Sequence, residues 1–562
     1  MDPVIVVGAG PAGLALSLAL ARHGVPSLVL DSTDGVPAAR AARTCLLRPD
    51  TAAVLPALPG LRWRSWRTRR RAQPVERIDL PPEQAPLHIE QHALERTLRS
   101  ALADEKLARI VTGSHVDLLE QDADGVTAHT RGPSGTWWRG SYAVGCDGAR
   151  STVRKLLGVR FPGRTSVERH AVAALRVRLP WEEEGAYDAD GRRGDADVGS
   201  ALLHRDPDGA PGEVTARPLA DERWRLDWLL PPRGDLVTPE EMLERVAETL
   251  AIWSEESVGS AAPARSGSAG GRGPGSGPQD PGPHGGIGPY ELVDTGVHTV
   301  HQRLARHWRV QRVFLAGDAA HLTGALGVQS VDEGLRDTAN LAWKLALAWH
   351  HGHGAAADTL LDSYETERRG AVAARLRAVD QTLPVVRRGG GLRALLPGGG
   401  ARSRLGLLTD GHLGRGLLGA PPTYARTPLT SPRLNAETVS VGTAPGAPVS
   451  DVPVTAADGS RGALHDWLGG PGGELLVLLV APGTGVWDSK HWLTAGMMPE
   501  LASAVAELPL RATLLVAESY PEAAAHTVLA IRADGHLAAA FPAGRPHALR
   551  ACAEAVRGGA HT

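Results

Sequence analysis

Val4-Ile5-Val6-Val7 is an unbroken β-branched run, and it leads directly into Gly8-Ala9-Gly10-Pro11-Ala12-Gly13. Such a run is the pattern of a strand buried on both faces of a parallel sheet. Pro11 falls where a first helical turn tolerates proline. An apolar helix is expected from about Pro11 to His23, with Gly24 placed to end it. A second strand, Ser27 to Leu30, closes on Asp31. Each part has a chemical reason. Gly8 permits the tight turn, Gly10 lets a pyrophosphate approach the backbone, and Gly13 lets the helix pack close to the strand. The phosphates meet the positive end of the helix. Asp31 lies about 20 residues on, where a carboxylate accepts from a ribose hydroxyl. The competing reading is a chance glycine turn in an unrelated α/β unit. The second strand and its terminal acid speak against it.

A chain of 562 residues is expected to hold two or three domains. Its formal charge of -2 gives no electrostatic case for a nucleic-acid or membrane partner. Cys45, Cys146 and Cys552 lie far apart and form no Cys-x-x-Cys, so no metal or disulfide framework is implied. A reducing, cytoplasmic setting fits this cysteine usage. The first strand leaves no room for a signal peptide, and no apolar run is long enough to span a bilayer.

Ala38 to Leu58 reads as a loop leading into a helix. Arg40 and Arg43 stand there, either solvated or reaching a phosphate. Leu61 to Arg71, LRWRSWRTRRR, interleaves tryptophan with arginine. In an otherwise balanced chain so short a patch reads as a solvated edge before a nucleic-acid surface. A surface for the phosphates of a nicotinamide coenzyme is the minor alternative. His88 to Leu102 reads as a short strand and then an amphipathic helix, with Leu94, Leu98 and Leu102 on one face and Gln91 at the junction. Ile110 to Leu119, Val126 to Thr130 and Trp137 to Val144 read as strands, with Asp124-Gly125 as a hairpin turn. Val144 to Gly158, VGCDGARSTVRKLLG, delivers Asp147-Gly148 from a strand end into a helix. That acid either caps the helix or faces a ligand.

From about Ala171 short alternating runs appear: Ala173 to Leu179, Ser200 to His204, Glu213 to Pro218 and Trp224 to Leu230. They predict an antiparallel sheet inserted in the first domain. A helix follows over Pro239 to Ser254. Gly259 to Pro289 is Gly, Ser and Pro with almost no apolar residues, and reads as a mobile loop, an inert insertion before a substrate lid. Val313 to Ala316 reads as a strand, followed by Gly317-Asp318-Ala319-Ala320-His321, a small-residue loop, and a long helix from about Glu333 to His350. The loop amides and the helix start would face and stabilise an anion.

Three motifs in order, the G-x-G-x-x-G unit with Asp31, CDGARSTVRKLLG, and RVFLAGDAAH…GLRDTANLAWKLALAW…LLDSYETERR, resemble the group A FAD-dependent monooxygenases of the p-hydroxybenzoate hydroxylase fold. The resemblance covers almost the whole chain and is greatest to bacterial aromatic polyketide hydroxylases. It implies an α/β fold: a Rossmann-like FAD-binding domain (1–172 and 300–388), an inserted antiparallel-sheet substrate domain (173–299), a linker (389–437) and a thioredoxin-like C-terminal domain (438–562). Without Cys-x-x-Cys that last domain has no redox chemistry, and packing or dimerisation is its expected role.

By the same resemblance, Gly8, Gly10, Pro11, Ala12 and Gly13 hold the FAD pyrophosphate and Asp31 the adenosine ribose. Arg43 and Gln91 contact FAD, Asp147 serves FAD and NAD(P)H, and Asp318 binds the ribitol or ribose region. Gly327, Val328 and Gln329 lie in the loop over the isoalloxazine. The family loop commonly reads His-x-x-Pro-Pro-x-Gly-Gly-Gln-Gly-x-Asn. Here Gly324 and Ala325 replace the prolines, Val328 and Ser330 replace glycines, and Asp332 replaces the asparagine.

The implied reaction has NADPH or NADH reduce FAD, O2 add at flavin C4a, and one oxygen pass to an electron-rich polycyclic aromatic substrate. No catalytic base emerges: His321 reads as structural, and Asp332 is undecided. Baeyer–Villiger or other ring-modifying oxygenation, and a non-catalytic flavin-binding scaffold, are the alternatives. No second G-x-G-x-x-G unit is placed between strands, which argues against a reductase that holds two dinucleotides. Neither a nucleic-acid nor a membrane partner is expected, and the protein is expected to be a monomer or homodimer.

Overall fold

The computed structural model describes residues 1–35, 38–71, 73–131, 135–179, 181, 199–206, 209–231, 234, 237–260, 289–328, 330–387, 399–430, 437–470, 474–483 and 496–559. The stretch 261–288, most of the segment read as a mobile loop, and Gln329 lie outside the described residues.

The opening run is the buried strand Val4–Val7. It pairs in parallel with Ser27–Leu30 on one side and Tyr142–Gly145 on the other. Ala108–Val111 and Val313–Leu315 extend this sheet in parallel, and Arg309–Val310 closes its edge antiparallel. The helix Pro11–Arg22 lies between this sheet and the long helix Ser330–His351. The long helix begins three residues earlier than the sequence suggests, at Ser330, so its first turn joins the loop before it.

Two expected strands each divide. Ile110 to Leu119 becomes Ala108–Val111 and His115–Gln121, parted at Gly113, whose φ is +64°. Trp137 to Val144 becomes Thr136–Gly140 and Tyr142–Gly145, and the halves join different sheets. Between Ala38 and Leu58 the expected loop contains a strand, Thr44–Leu47, paired with Leu87–Glu90, and the helix shrinks to Pro49–Ala53.

The second sheet has eight strands in the order His321–Leu322, Glu291–Leu304, Gly163–Arg176, Arg223–Leu230, Glu213–Leu219, Ser200–Arg205, Ser65–Arg70, Gln73–Asp79. The arginine–tryptophan run thus does form an edge hairpin, but Trp63 and Trp66 are fully buried and stack at 5.9 Å. Buried rings offer no surface for stacking on bases. The helix Pro239–Ser260 covers one face of this sheet through Val246, Leu250 and Trp253.

The C-terminal unit is a six-stranded sheet whose central pair, Leu475–Val480 and Ala512–Ala517, is parallel. The hairpin Thr527–Arg532 and Leu537–Pro542 adds antiparallel strands, and the helices Met498–Ala506 and Pro546–Val556 pack on the sheet. This unit carries no cysteine pair, since Cys552 is a lone buried thiol in the last helix. A charge cluster joins this unit to the long helix. Glu367 accepts from Arg532 Nη1 at 2.7 Å and from Lys344 Nζ at 2.7 Å, all three almost wholly buried. No helix among the described residues is long and apolar enough to cross a membrane.

Candidate active site

A cavity of about 1030 Å³ opens at the C-terminal ends of the parallel strands and runs on to the eight-stranded sheet. The crevice beyond the strand ends is where open α/β sheets bind ligands. The three glycines of the first turn are needed for three different reasons. Gly8 has φ of +104°. A Cβ on Gly13 would sit 2.0 Å from the Gly8 carbonyl oxygen, so any side chain would push helix from strand. A Cβ on Gly10 would meet nothing within 4 Å, because Gly10 faces the open cavity. That open cradle of backbone at a helix start fits the pyrophosphate of FAD.

Asp31 is buried, and its Oδ2 accepts from the Ala9 amide at 2.6 Å. Its Oδ1 accepts from the Thr33 amide at 2.8 Å. The carboxylate is thus fixed between the glycine turn and the second strand, as a ribose acceptor needs to be. Pro11 and Ala12 line the cavity beside it, whereas Gly13 lies behind. Arg43 is exposed at the rim, and its carbonyl accepts from the Gln91 amide at 2.9 Å. Gln91 in turn donates to Glu95 at 2.6 Å. Arg40 also lines the cavity, ion-paired to Asp294 at 3.1 Å.

Asp147 caps a helix and also faces the cavity. Its Oδ2 accepts from the amides of Thr152 at 2.6 Å and Val153 at 3.0 Å, capping the helix Thr152–Leu156, and the residue lines the cavity. Asp318 is exposed to the cavity and accepts from Ser330 Oγ at 2.7 Å. His321 is fully buried, bonded through Nε2 to Asp337 at 2.7 Å and stacked on Trp308. It pins the turn and does not reach the cavity. Asp332 accepts from the Arg48 amide at 3.0 Å and Thr51 Oγ1 at 2.6 Å, so it joins the long helix to the start of the helix Pro49–Ala53.

The loop before the long helix is unusual. Ala325, Leu326 and Gly327 have φ of +71°, +54° and +82°. Left-handed backbone costs a residue with a side chain of order 1–3 kcal/mol. Gly327 and Val328 line the cavity.

The far wall is polar. Thr215 and Arg217 stand opposite Asp227 and Arg225 on neighbouring strands, and all four line the cavity. Arg225 Nε donates to Asp227 Oδ2 at 3.0 Å, and Arg225 Nη1 donates to Thr44 Oγ1 at 2.9 Å. Arg217 is buried with much less company. Its closest carboxylate oxygen, on Asp227, is 3.6 Å away, His412 Nδ1 is 3.4 Å away, and its Nε has no partner. Burial lowers its pKa, and Asp227 opposes that. His298 lines the same wall, and burial together with Arg225 pushes its pKa down to about 4.

Several cavity residues escaped the sequence reading. Arg99 reaches the Ala9 carbonyl at 3.5 Å, and its Nε is buried without a partner. The i, i+4, i+8 spacing of Gln91, Glu95 and Arg99 puts the three on one helix face and was a usable signal. Thr215, Arg217, Arg225 and Asp227 alternate with apolar neighbours at period two, another usable signal. His412 carried none. It belongs to the helix Gly399–Leu413, which the sequence presents as linker, and reaches the cavity only through packing.

A family model described as an FAD binding domain matches residues 1–189 and 287–379, about half of the chain. A 3-(3-hydroxy-phenyl)propionate/3-hydroxycinnamic acid hydroxylase of Mycolicibacterium smegmatis is 29% identical over 65% of this chain and 58% of its own length. The chain thus spans under two thirds of that relative. The 12-dehydrotetracycline 5-monooxygenase/anhydrotetracycline 6-monooxygenase of Streptomyces rimosus is 33% identical over 66% of this chain and 68% of its own. Among solved structures, the flavin-dependent monooxygenase PieE, in complex with FAD and substrate, superposes with a TM-score of 0.68 at 20% identity, over 99% of both chains. Aklavinone-11 hydroxylase with FAD and aklavinone gives 0.66 at 21% identity, over 99% of this chain and 98% of that one. The chain is a member of the FAD-binding domain family, built on the fold of flavin-dependent aromatic hydroxylases.

Proposed function

We propose that the protein is an NADPH- or NADH-consuming, FAD-dependent monooxygenase that adds one oxygen atom from O2 to a polycyclic aromatic substrate of the polyketide type. The observation that carries this reading is a single cavity running from the Gly10 cradle and Asp31 to a buried polar wall. Bound FAD supplies the reduction, oxygen activation and oxygen transfer. The chain's own residues bind and orient. Gly10, Pro11 and Ala12 accept the pyrophosphate, with Arg99 beside them. Asp31 takes the ribose hydroxyls, while Arg43, Gln91, Asp147 and Asp318 line the cofactor's length. The first turn of Ser330–His351 favours negative charge on the ring system.

Arg217 receives an oxygen of the substrate. A buried guanidinium without full pairing gains a charge-assisted hydrogen bond from a phenolate or quinone oxygen. His298, on the same wall, stays neutral at pH 7. The tetracycline relative supports the polyketide type.

The test is NAD(P)H oxidation by the FAD-loaded protein, with and without a panel of polycyclic phenols, with product masses recorded. Oxidation stimulated by a phenol, yielding a hydroxylated product, is expected. A lactone or cleaved ring would make it a ring-modifying oxygenase. Bound flavin that never oxidises NAD(P)H would make it a flavin-binding scaffold.

A further inference from the structure

The left-handed loop is held from the substrate-side wall. The Leu326 amide donates to Glu168 Oε2 at 2.9 Å, and both residues are buried. The other carboxylate oxygen, Oε1, accepts from Arg387 Nε at 2.8 Å. Arg387 ends the helix Gly370–Arg387 and also donates through Nη1 to Glu213 at 2.6 Å. Glu168 and Glu213 sit on separate strands of the eight-stranded sheet, so one arginine ties both strands to the helix that closes the cavity. Burial alone would raise the Glu168 pKa, but His170 and Arg387 outweigh it and push it down to about 2. The group is therefore a permanent anion facing a backbone amide.

The opposite side of the loop is closed by close approach. A Cβ on Gly411 would lie 1.9 Å from the Leu326 carbonyl oxygen, and one on Gly327 would lie 2.5 Å from His412 Nδ1. The loop is thus clamped between the helix Gly399–Leu413 and the Glu168 carboxylate. Left-handed backbone at Ala325 and Leu326 has no glycine to ease it. An external acceptor for the Leu326 amide does part of that work.

We infer that Glu168 is a positioning residue, whose carboxylate holds the 325–327 backbone in its left-handed course and thereby sets where this cavity-lining loop lies against the flavin ring. The inference rests on the proposed flavin site. It gives the substrate-side sheet a direct mechanical hold on the cofactor-side loop.

The test uses the full-length protein with and without FAD, in the wild type, Glu168→Gln, Ala325→Gly and the double variant. Hydrogen exchange of a peptide covering 322–328 and the FAD dissociation constant are the readouts, with the whole-protein melting transition as a control. Turning a hydrogen bond to a carboxylate into one to a neutral amide predicts that Glu168→Gln speeds exchange and weakens FAD by about ten-fold each. Ala325→Gly relieves the left-handed backbone and should return both by about five-fold in the double variant. A merely structural glutamate would not be rescued by a glycine in the loop. Unchanged exchange and FAD affinity in Glu168→Gln overturn the inference. A global loss of melting temperature that Ala325→Gly does not relieve also overturns it. If the loop responds as expected but no phenol stimulates NAD(P)H oxidation, the anchor stands and the catalytic reading falls.

Discussion

At the scale of single residues, three glycines in one motif make separable predictions. Gly10→Ala puts a methyl into the open cradle. The variant should fold with the melting temperature of the apo wild type and lose FAD affinity by ten-fold or more. Gly13→Ala puts a methyl 2.0 Å from a carbonyl oxygen, so it should lower stability itself, by a few kcal/mol. Denaturation and flavin titration of both variants separate the roles, and equal loss of stability would contradict them. Arg217→Met should raise KM for an aromatic substrate by about ten- to a hundred-fold, the worth of a charge-assisted bond, with FAD affinity unchanged. Steady-state kinetics and flavin titration check this. These residues differ in how well the sequence announces them. Gly10 and Asp31 are legible because motif spacing encodes their geometry. Arg217 is not, because what distinguishes it is the absence of a full partner, which only tertiary packing decides.

At the scale of elements, the long helix Ser330–His351 organises the molecule. Its first turn meets the cavity loop, and near its other end Lys344 enters the charge cluster with Glu367 and Arg532. Burial opposes ionisation of Glu367, but Arg532 and Lys344 hold its pKa well below the usual carboxylate range. Removing one member leaves buried charge unpaired. Glu367→Ala should therefore cost about 3–5 kcal/mol by chemical denaturation. A loss under about 1 kcal/mol would show that the cluster does not join the two units.

The elements legible in the sequence are those with a strong period or an unbroken apolar run, such as Val4–Val7 and Gln91–Ala103. Thr44–Leu47 was missed because Thr-Cys-Leu-Leu has no alternation, and its partner Leu87–Glu90 lies about 40 residues away. The helix Gly399–Leu413 falls in a stretch that reads as a linker with short helices because of its glycines, so its length and its contact with the cavity are hidden. One of those glycines lets it press on the cavity loop: a Cβ on Gly411 would lie 1.9 Å from the Leu326 carbonyl oxygen.

At the scale of the whole molecule, buried histidines set the response to acid. Burial and Arg217 push His88 down to about 3, and burial and Arg69 push His204 down to about 4. Burial, Arg217 and Arg48 hold His412 well below its ordinary value. Each stays neutral when folded but gains a proton near pH 6.5 when unfolded. The unfolded state therefore binds more protons below pH 6.5, and stability falls as pH drops from there towards the folded values. Each histidine contributes a slope of up to about 1.4 kcal/mol per pH unit. Melting temperature should be flat from pH 8 to 7 with respect to these groups and fall steadily from 6.5 to 5. A flat profile through that window would contradict their burial as neutral groups. Molecular plan was the most legible level of all, since three motifs in order fix an α/β architecture. The joins were not: the edge hairpin Ser65–Arg70 and Gln73–Asp79 crosses into the second sheet by a pairing with Ser200–Arg205 that sequence distance conceals.

The central claim is that one continuous cavity lets a bound flavin deliver an oxygen atom to an aromatic ring. Labelled dioxygen tests it directly. FAD-loaded protein, NAD(P)H and a stimulating polycyclic phenol under heavy O2 should give a product carrying one labelled oxygen, with none acquired from water. Bound FAD that consumes NAD(P)H yet leaves every phenol unlabelled, returning only hydrogen peroxide, would contradict it.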